Sequence, residues 1–178
     1  MVFGDSLSSA YGLPQEAGWV SLLKKRLQQE RLDYQVINTS VTGETTRGGL
    51  SRIAQSLATH HPAIVILELG GNDGLRGQPV EATRDNLEGI IKACRLHGAK
   101  VLLIGMRLPP NYGTAYTQKF QSIYPELAQR YGLPLTPFML EGFGYDPAMF
   151  QPDRIHPAAA AQPIILDNVW KTLKLLLV

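Results

Sequence analysis

The chain has a single cysteine, Cys94, so no internal disulfide can form and stability has to come from a packed interior. Set in an otherwise helical pattern, Cys94 reads as a small core residue. Long apolar runs are missing as well. The longest, Ala63 to Leu67 and Leu175 to Val178, fall far short of the roughly 20 residues a membrane-spanning helix needs, so stable membrane insertion is not expected. There is no excess of one charge either. The 17 basic and 15 acidic residues nearly balance, with no basic cluster to follow a phosphate backbone, which argues against nucleic acid as a partner. No repeat, linker or low-complexity tract appears apart from the alanine run Ala158 to Ala161. Residues 1–178 therefore read as one domain, long enough to bury its own core. A signal peptide is absent too, yet the opening strand is cut to Met1 to Phe3, which suggests that the native precursor has residues before it.

What is present is alternation. Gly18 to Gln29 puts Trp19, Leu22, Leu23 and Leu27 on one helical stripe. Tyr34 to Asn38 reads as a short strand, Gly49 to His60 as a helix, and Ala63 to Leu69 as a strand that is apolar on both faces and so covered on both. Val80 to Leu96 is the next helix, stopped by Gly98. Lys100 to Ile104 follows as a strand, Tyr116 to Tyr131 as a helix, Leu133 to Phe138 as a short strand broken by prolines, and Ile164 to Leu177 as the closing helix after Pro163. Such alternation predicts an α/β fold, a parallel sheet of five strands with helices on both faces. Ligands of open sheets of this kind sit beyond the carboxyl ends of the strands. There the sequence places Gly4-Asp5-Ser6, Thr42-Gly43-Glu44, Gly70-Gly71-Asn72-Asp73 and the stretch Met106 to Tyr112.

A serine at a strand end can act as a nucleophile if an imidazole base reaches it. His60, His61 and His97 stand at helix ends, where an imidazolium suits the helix dipole. His156 lies instead in a loop between Pro152 and Pro157, with Asp153 three residues before it, close enough to accept a ring N–H and fix the tautomer. The order Ser6, Asp153, His156 is one of the orders in which a serine triad recurs. Donors for an oxyanion are available on the same rim: the Ser6 N–H, the Gly43 N–H and the Asn72 amide.

The segments "GDSLS", "NTSVTGETT", "GGND" and "DRIHP" resemble, in order and spacing, the four blocks of the SGNH or GDSL hydrolases. The stretch "MRLPPNYG" further resembles their bacterial thioesterase I, lysophospholipase and arylesterase branch, and the likeness covers essentially the whole chain. It implies a flavodoxin-like three-layer α/β/α sandwich, a Ser6–His156–Asp153 triad, and an oxyanion hole of Ser6 N–H, Gly43 and Asn72. It also implies hydrolysis of carboxylic esters and thioesters, no metal or organic cofactor, and a periplasmic or secreted location. The expected partner is a small acyl ester or thioester, handled by a monomer. Two rim segments suit an acyl groove: Asp73 to Pro79, with Leu75, and Met106 to Tyr112, with Met106, Leu108, Pro110 and Tyr112; Asp5 and Phe143 are nearby candidates.

Other readings remain open at this point. Ser21-Leu22-Leu23-Lys24 fits S-x-x-K, but neither S-D-N nor K-T-G occurs, and Ser8 takes the place of the second glycine of a G-x-S-x-G elbow. A non-catalytic flavodoxin-like module with Ser6, Ser8 and Ser9 around a phosphate explains the fold but leaves "DRIHP" idle. A carbohydrate or small-ester deacetylase shares the catalytic residues and differs in its pocket.

Overall fold

Apolar residues on both faces of one strand need cover on both sides. The computed structural model, which describes residues 1–177, supplies it. Four parallel strands, β1 (Val2–Gly4), β2 (Ile64–Glu68), β3 (Lys100–Ile104) and β4 (Leu135–Thr136), pair in the order β1-β2-β3-β4. The register sets Gly4 beside Glu68, Leu67 beside Leu103 and Leu103 beside Leu135. Helices α1 (Trp19–Gln29) and α6 (Gln162–Leu173) pack on each other in one layer. Helices α2 (Thr46–His60), α4 (Val80–Leu96) and α5 (Thr114–Tyr131) pack in series in the other. Phe3, Leu67, Leu87, Ile90, Leu103 and Ile165 are wholly buried between the layers, and burial of this kind contributes about 1.5–3 kcal/mol for each large apolar side chain.

Among the described residues the sheet has four strands rather than the expected five. Tyr34 to Asn38 does run beside β1, with Val2 N–H donating to Ile37 O and Thr39 N–H to Val2 O, but only one parallel bridge forms, Val2 to Asn38. Two causes act together. β1 offers only three residues as a template, and the Asn38 side chain donates to Ser8 O and accepts from Ser40 N–H, turning the chain into a loop.

Helix boundaries differ by a few residues. Thr45 caps α2 through its hydroxyl, which accepts the Gly48 N–H, so that helix starts before Gly49. Pro163 lies inside the first turn of α6, where its missing N–H costs nothing, and the helix ends at Leu173 rather than Leu177. A short helix directly after β2, α3 (Gly71–Leu75), was not expected from the periodicity. Buried Asp73 ties it to α2 by accepting the N–H and hydroxyl of Thr46 at 2.9 and 2.6 Å.

Candidate active site

Ser6 stands at the tip of a tight turn leaving β1. Gly4 is required beneath it, since a Cβ there would come within 2.6 Å of a Glu68 carboxylate oxygen and 3.0 Å of the Ser8 hydroxyl. Asp5 builds the turn: Oδ1 accepts the Leu7 N–H at 3.0 Å, and its backbone carbonyl accepts the N–H groups of Ser8 and Ser9. The Trp19 indole donates to Leu7 O at 3.1 Å and clamps the turn to α1.

The histidine arrives from the loop before α6. Asp153 Oδ1 accepts the backbone N–H groups of Ile155 and His156 at 2.9 and 3.0 Å, folding the loop around its own carboxylate, with Arg154 at φ 59°. Oδ2 lies 2.6 Å from His156 Nδ1, and His156 Nε2 lies 2.9 Å from Ser6 Oγ. Buried Gln162 joins the two loops, accepting the Trp19 N–H and donating to Pro157 O. Desolvation pushes the Asp153 carboxyl up, but hydrogen bonds from the His156 ring and from the two backbone N–H groups outweigh it and hold the pKa down at about 2. A carboxylate at Nδ1 favours the tautomer with its proton there, leaving Nε2 to accept the Ser6 proton.

Among the described residues, the N–H groups of Ser6 and Gly43 donate to no protein acceptor. Gly43 holds φ 78°, a left-handed conformation that suits glycine, and its carbonyl accepts from Arg76. Asn72 differs. Its amide nitrogen already donates to Asp5 Oδ2 at 3.0 Å and to Glu44 O at 2.9 Å, so an oxyanion must share or displace one of those bonds.

A cavity of about 420 Å³ opens beside Ser6 and His156. Leu75, Met106, Leu108 and Pro110 are among its lining, as is Asp5, although both Asp5 oxygens serve the Ser6 turn and Asn72. Leu108 packs so closely on α3 that a Cβ at Gly74 would come within 2.5 Å of it. Tyr112 is a correction. It does not line the cavity; its hydroxyl donates to Leu75 O at 3.0 Å and braces the opposite wall. Phe143 is likewise core, packed on Phe150. The sequence reading missed Phe138, Leu140, Pro147, Phe150 and Ile155 in the lining; the aromatic and proline content of 137–150 was the available signal. It also missed Tyr11, whose ring centroid is 4.3 Å from that of His156.

Under the Ser6 turn lies a buried acidic pair. Glu68 accepts the Ser8 hydroxyl at 2.6 Å and the Asp5 N–H at 3.3 Å through one oxygen, while the other has no partner. Burial, then the neighbouring Asp5 charge, pushes the Glu68 carboxyl well above its ordinary value. Burial raises Asp5 to about 6 against the pull of the Leu7 N–H. Among the described residues, no group of three His, Cys, Asp or Glu side chains could hold a metal ion, and no helix is long and apolar enough to cross a membrane.

Comparison with known proteins adds the following. A model of the GDSL-like lipase/acylhydrolase family matches residues 2–163. Esterase TesA of Pseudomonas aeruginosa is 51% identical over 177 residues, covering 99% of this chain and 88% of its own. Thioesterase 1/protease 1/lysophospholipase L1 of Escherichia coli K12 is 40% identical over 174 residues, 98% of this chain and 82% of its own. The crystal structure of the psychrotrophic esterase EstA from Pseudoalteromonas sp., inhibited by monoethylphosphonate, matches with a TM-score of 0.93 at 38% identity, covering 97% of this chain and 94% of that one.

Proposed function

The chain belongs to the GDSL-like lipase and acylhydrolase family, and we propose that it hydrolyses small carboxylic esters and thioesters through an acyl-enzyme on Ser6. The observation that carries this reading is the unbroken line of contacts from Ser6 Oγ to His156 Nε2, 2.9 Å, and from His156 Nδ1 to Asp153 Oδ2, 2.6 Å. His156 takes the Ser6 proton as Oγ attacks the acyl carbonyl, then returns it to the departing alcohol or thiol. A water repeats the sequence on the acyl-enzyme, giving the carboxylic acid and free Ser6. Asp153 stays ionised and orients the ring. The Ser6 and Gly43 N–H groups and the Asn72 amide stabilise the oxyanion. The esterase and thioesterase names of the relatives support both substrate classes.

The 420 Å³ cavity supports an acyl groove, and this favours acyl-chain hydrolysis over deacetylation. Each methylene that packs on Leu75 and Leu108 gains up to ~0.8 kcal/mol until the groove is full. Leu108→Ser should therefore lower kcat/KM for p-nitrophenyl octanoate by about tenfold and leave the acetate within about twofold. Equal losses on both esters would remove Leu108 from chain recognition. A fluorophosphonate probe should label Ser6 stoichiometrically, and peptide mapping of the adduct to Ser8 or Ser9 would overturn the assignment. One domain, residues 1–178, carries all these parts, which supports a monomer as the active unit, tested by sedimentation. A periplasmic or secreted location accords with the branch the sequence resembles and is tested by fractionation of the native host.

A further inference from the structure

A second cavity, of opposite character to the acyl groove, meets the triad through Tyr11, whose ring lies against that of His156. It measures about 500 Å³ and is lined mainly by the loops 9–15 and 38–42, without one charged side chain. Hydroxyls and amides take that place: Ser9, Ser40, Thr42, Asn38 and Gln15. Ser9 Oγ and Thr42 Oγ1 meet at 2.9 Å, joining the loop that carries Ser6 to the loop that carries Gly43. Asn38 and Gln15 are anchored through their amide nitrogens on Ser8 O and Ser9 O. The Ser40 hydroxyl oxygen is buried and has no protein partner. A buried hydroxyl without a partner is costly, and the cost is recovered when a ligand supplies the missing hydrogen bond.

The position of this cavity follows from the reaction. An ester carbonyl held at Ser6 has two substituents, the acyl chain and the alcohol oxygen. The acyl chain takes the apolar cavity. The alcohol oxygen must lie beside His156 Nε2, which protonates it. Tyr11 both lines the polar cavity and packs its ring 4.3 Å from the His156 ring, and Thr42 directly precedes Gly43. The alcohol half of the substrate therefore runs out over Tyr11, Ser9 and Thr42 toward Ser40.

Resting on the reading of Ser6 as an acyl-transfer nucleophile, we propose that this cavity is a leaving-group subsite for a small neutral polyol. Such a ligand matches the lining in kind: several hydroxyls that donate and accept, and no net charge. A bare alkyl alcohol would strip water from the same hydroxyls and return nothing. By microscopic reversibility, the subsite also receives an attacking alcohol. Its O–H adds to the acyl-enzyme carbonyl while His156 takes the proton and returns it to Ser6 Oγ, releasing the new ester and free Ser6.

The test compares two esters of one acid, 1-octanoylglycerol and propyl octanoate. One or two extra hydrogen bonds should give the glyceryl ester about a tenfold higher kcat/KM. Ser40→Ala, which removes the unpartnered hydroxyl and leaves the Ser9–Thr42 bond intact, should bring that ratio toward one and leave propyl octanoate within about twofold. A measurement on the unaltered enzyme serves in case the variant does not fold: at equal concentration, glycerol should capture the octanoyl-enzyme formed from p-nitrophenyl octanoate more efficiently than 1-propanol does. Normal turnover of p-nitrophenyl octanoate with no glyceryl preference in either assay would overturn the subsite alone. Absence of turnover on every ester would overturn the proposed function, and the subsite with it.

Discussion

Asp153 lies in a solvent-touched loop and ionises more readily than a free carboxyl, whereas Asp5 and Glu68, beneath the Ser6 turn, are buried and hold their protons more tightly. All three stand within one or two residues' contact of Ser6 or His156. The contrast shows that environment, and not residue type, assigns the role. Asp153 collects three N–H donors, one from the ring and two from its own loop, so its charge is present at neutral pH beside the His156 ring. Glu68 receives one hydroxyl and one long N–H contact on a single oxygen. Beside Asp5 it is better neutral than charged, because burial strips its water and two buried like charges repel.

The largest effect is expected where the charge itself acts. Asp153→Asn should lower kcat by about 10⁴-fold with KM little changed, since an amide at Nδ1 loses the ionic partner and allows the wrong ring tautomer. A loss below about tenfold would break the contrast by making Asp153 dispensable to the ring.

Asp5 acts through others. Its carboxylate holds the Leu7 N–H and the Asn72 amide, so Asp5→Ala leaves the Leu7 N–H without its acceptor and the Asn72 amide with Glu44 O alone, which lets the turn and the proposed oxyanion donor drift. We expect kcat to fall by about 10- to 100-fold, between the loss of a weak support and that of a full oxyanion donor. Asn72→Ala, which deletes the donor outright, should cost about 10²- to 10³-fold in kcat. Should Asp5→Ala prove as damaging as Asp153→Asn, the two acidic centres would not differ in kind.

Much of this was legible in the sequence, and the exceptions share a cause. Ala63 to Leu69, Lys100 to Ile104 and Val80 to Leu96 formed as expected because burial and helical periodicity leave strong local patterns. Ser6, Asp153 and His156 were legible because each stands where a strand end or a proline-bounded loop has no structural use for it. The strand at Tyr34 to Asn38 failed because pairing depends on a partner, and β1 is too short to extend it. Tyr112 and Phe143 were misplaced because an apolar or aromatic loop residue has no period to tell lining from bracing. Tyr11 reaches His156 only by tertiary packing across more than a hundred residues, and Phe138 and Phe150 line the cavity through an irregular loop with no period to read. The Glu68 pairing is of the same kind: nothing in "AIVILEL" announces that its glutamate, set beside Gly4 in the sheet, lies under the Asp5 turn.

The smallest effect on activity, and the sharpest on stability, is expected at Glu68. Glutamine has the shape of the neutral carboxyl and can accept the same hydroxyl and N–H through its oxygen, so Glu68→Gln should keep kcat/KM within about twofold of the unaltered enzyme at neutral pH. Its signature is the pH dependence of unfolding. In the unfolded chain Asp5 and Glu68 release their protons near the ordinary values of 3.8 and 4.5, while the folded chain keeps them to about 6 for Asp5 and well above 4.5 for Glu68. Over that window the native state binds more protons than the unfolded state, so stability falls as pH rises from about 4 through 6. Asp153 has the opposite sign and acts lower. Its folded value of about 2 lies under the ordinary 3.8, so the stability it contributes is complete above 3.8 and is lost as pH falls toward 2. A thermal midpoint followed from pH 4 to pH 8 should therefore decline less steeply in Glu68→Gln, because one of the two retained protons is no longer titratable. An unchanged slope would mean that Glu68 is already ionised in the folded protein. The buried pair would then carry two negative charges under Ser6 at neutral pH, and the contrast with Asp153 would rest on solvent exposure alone.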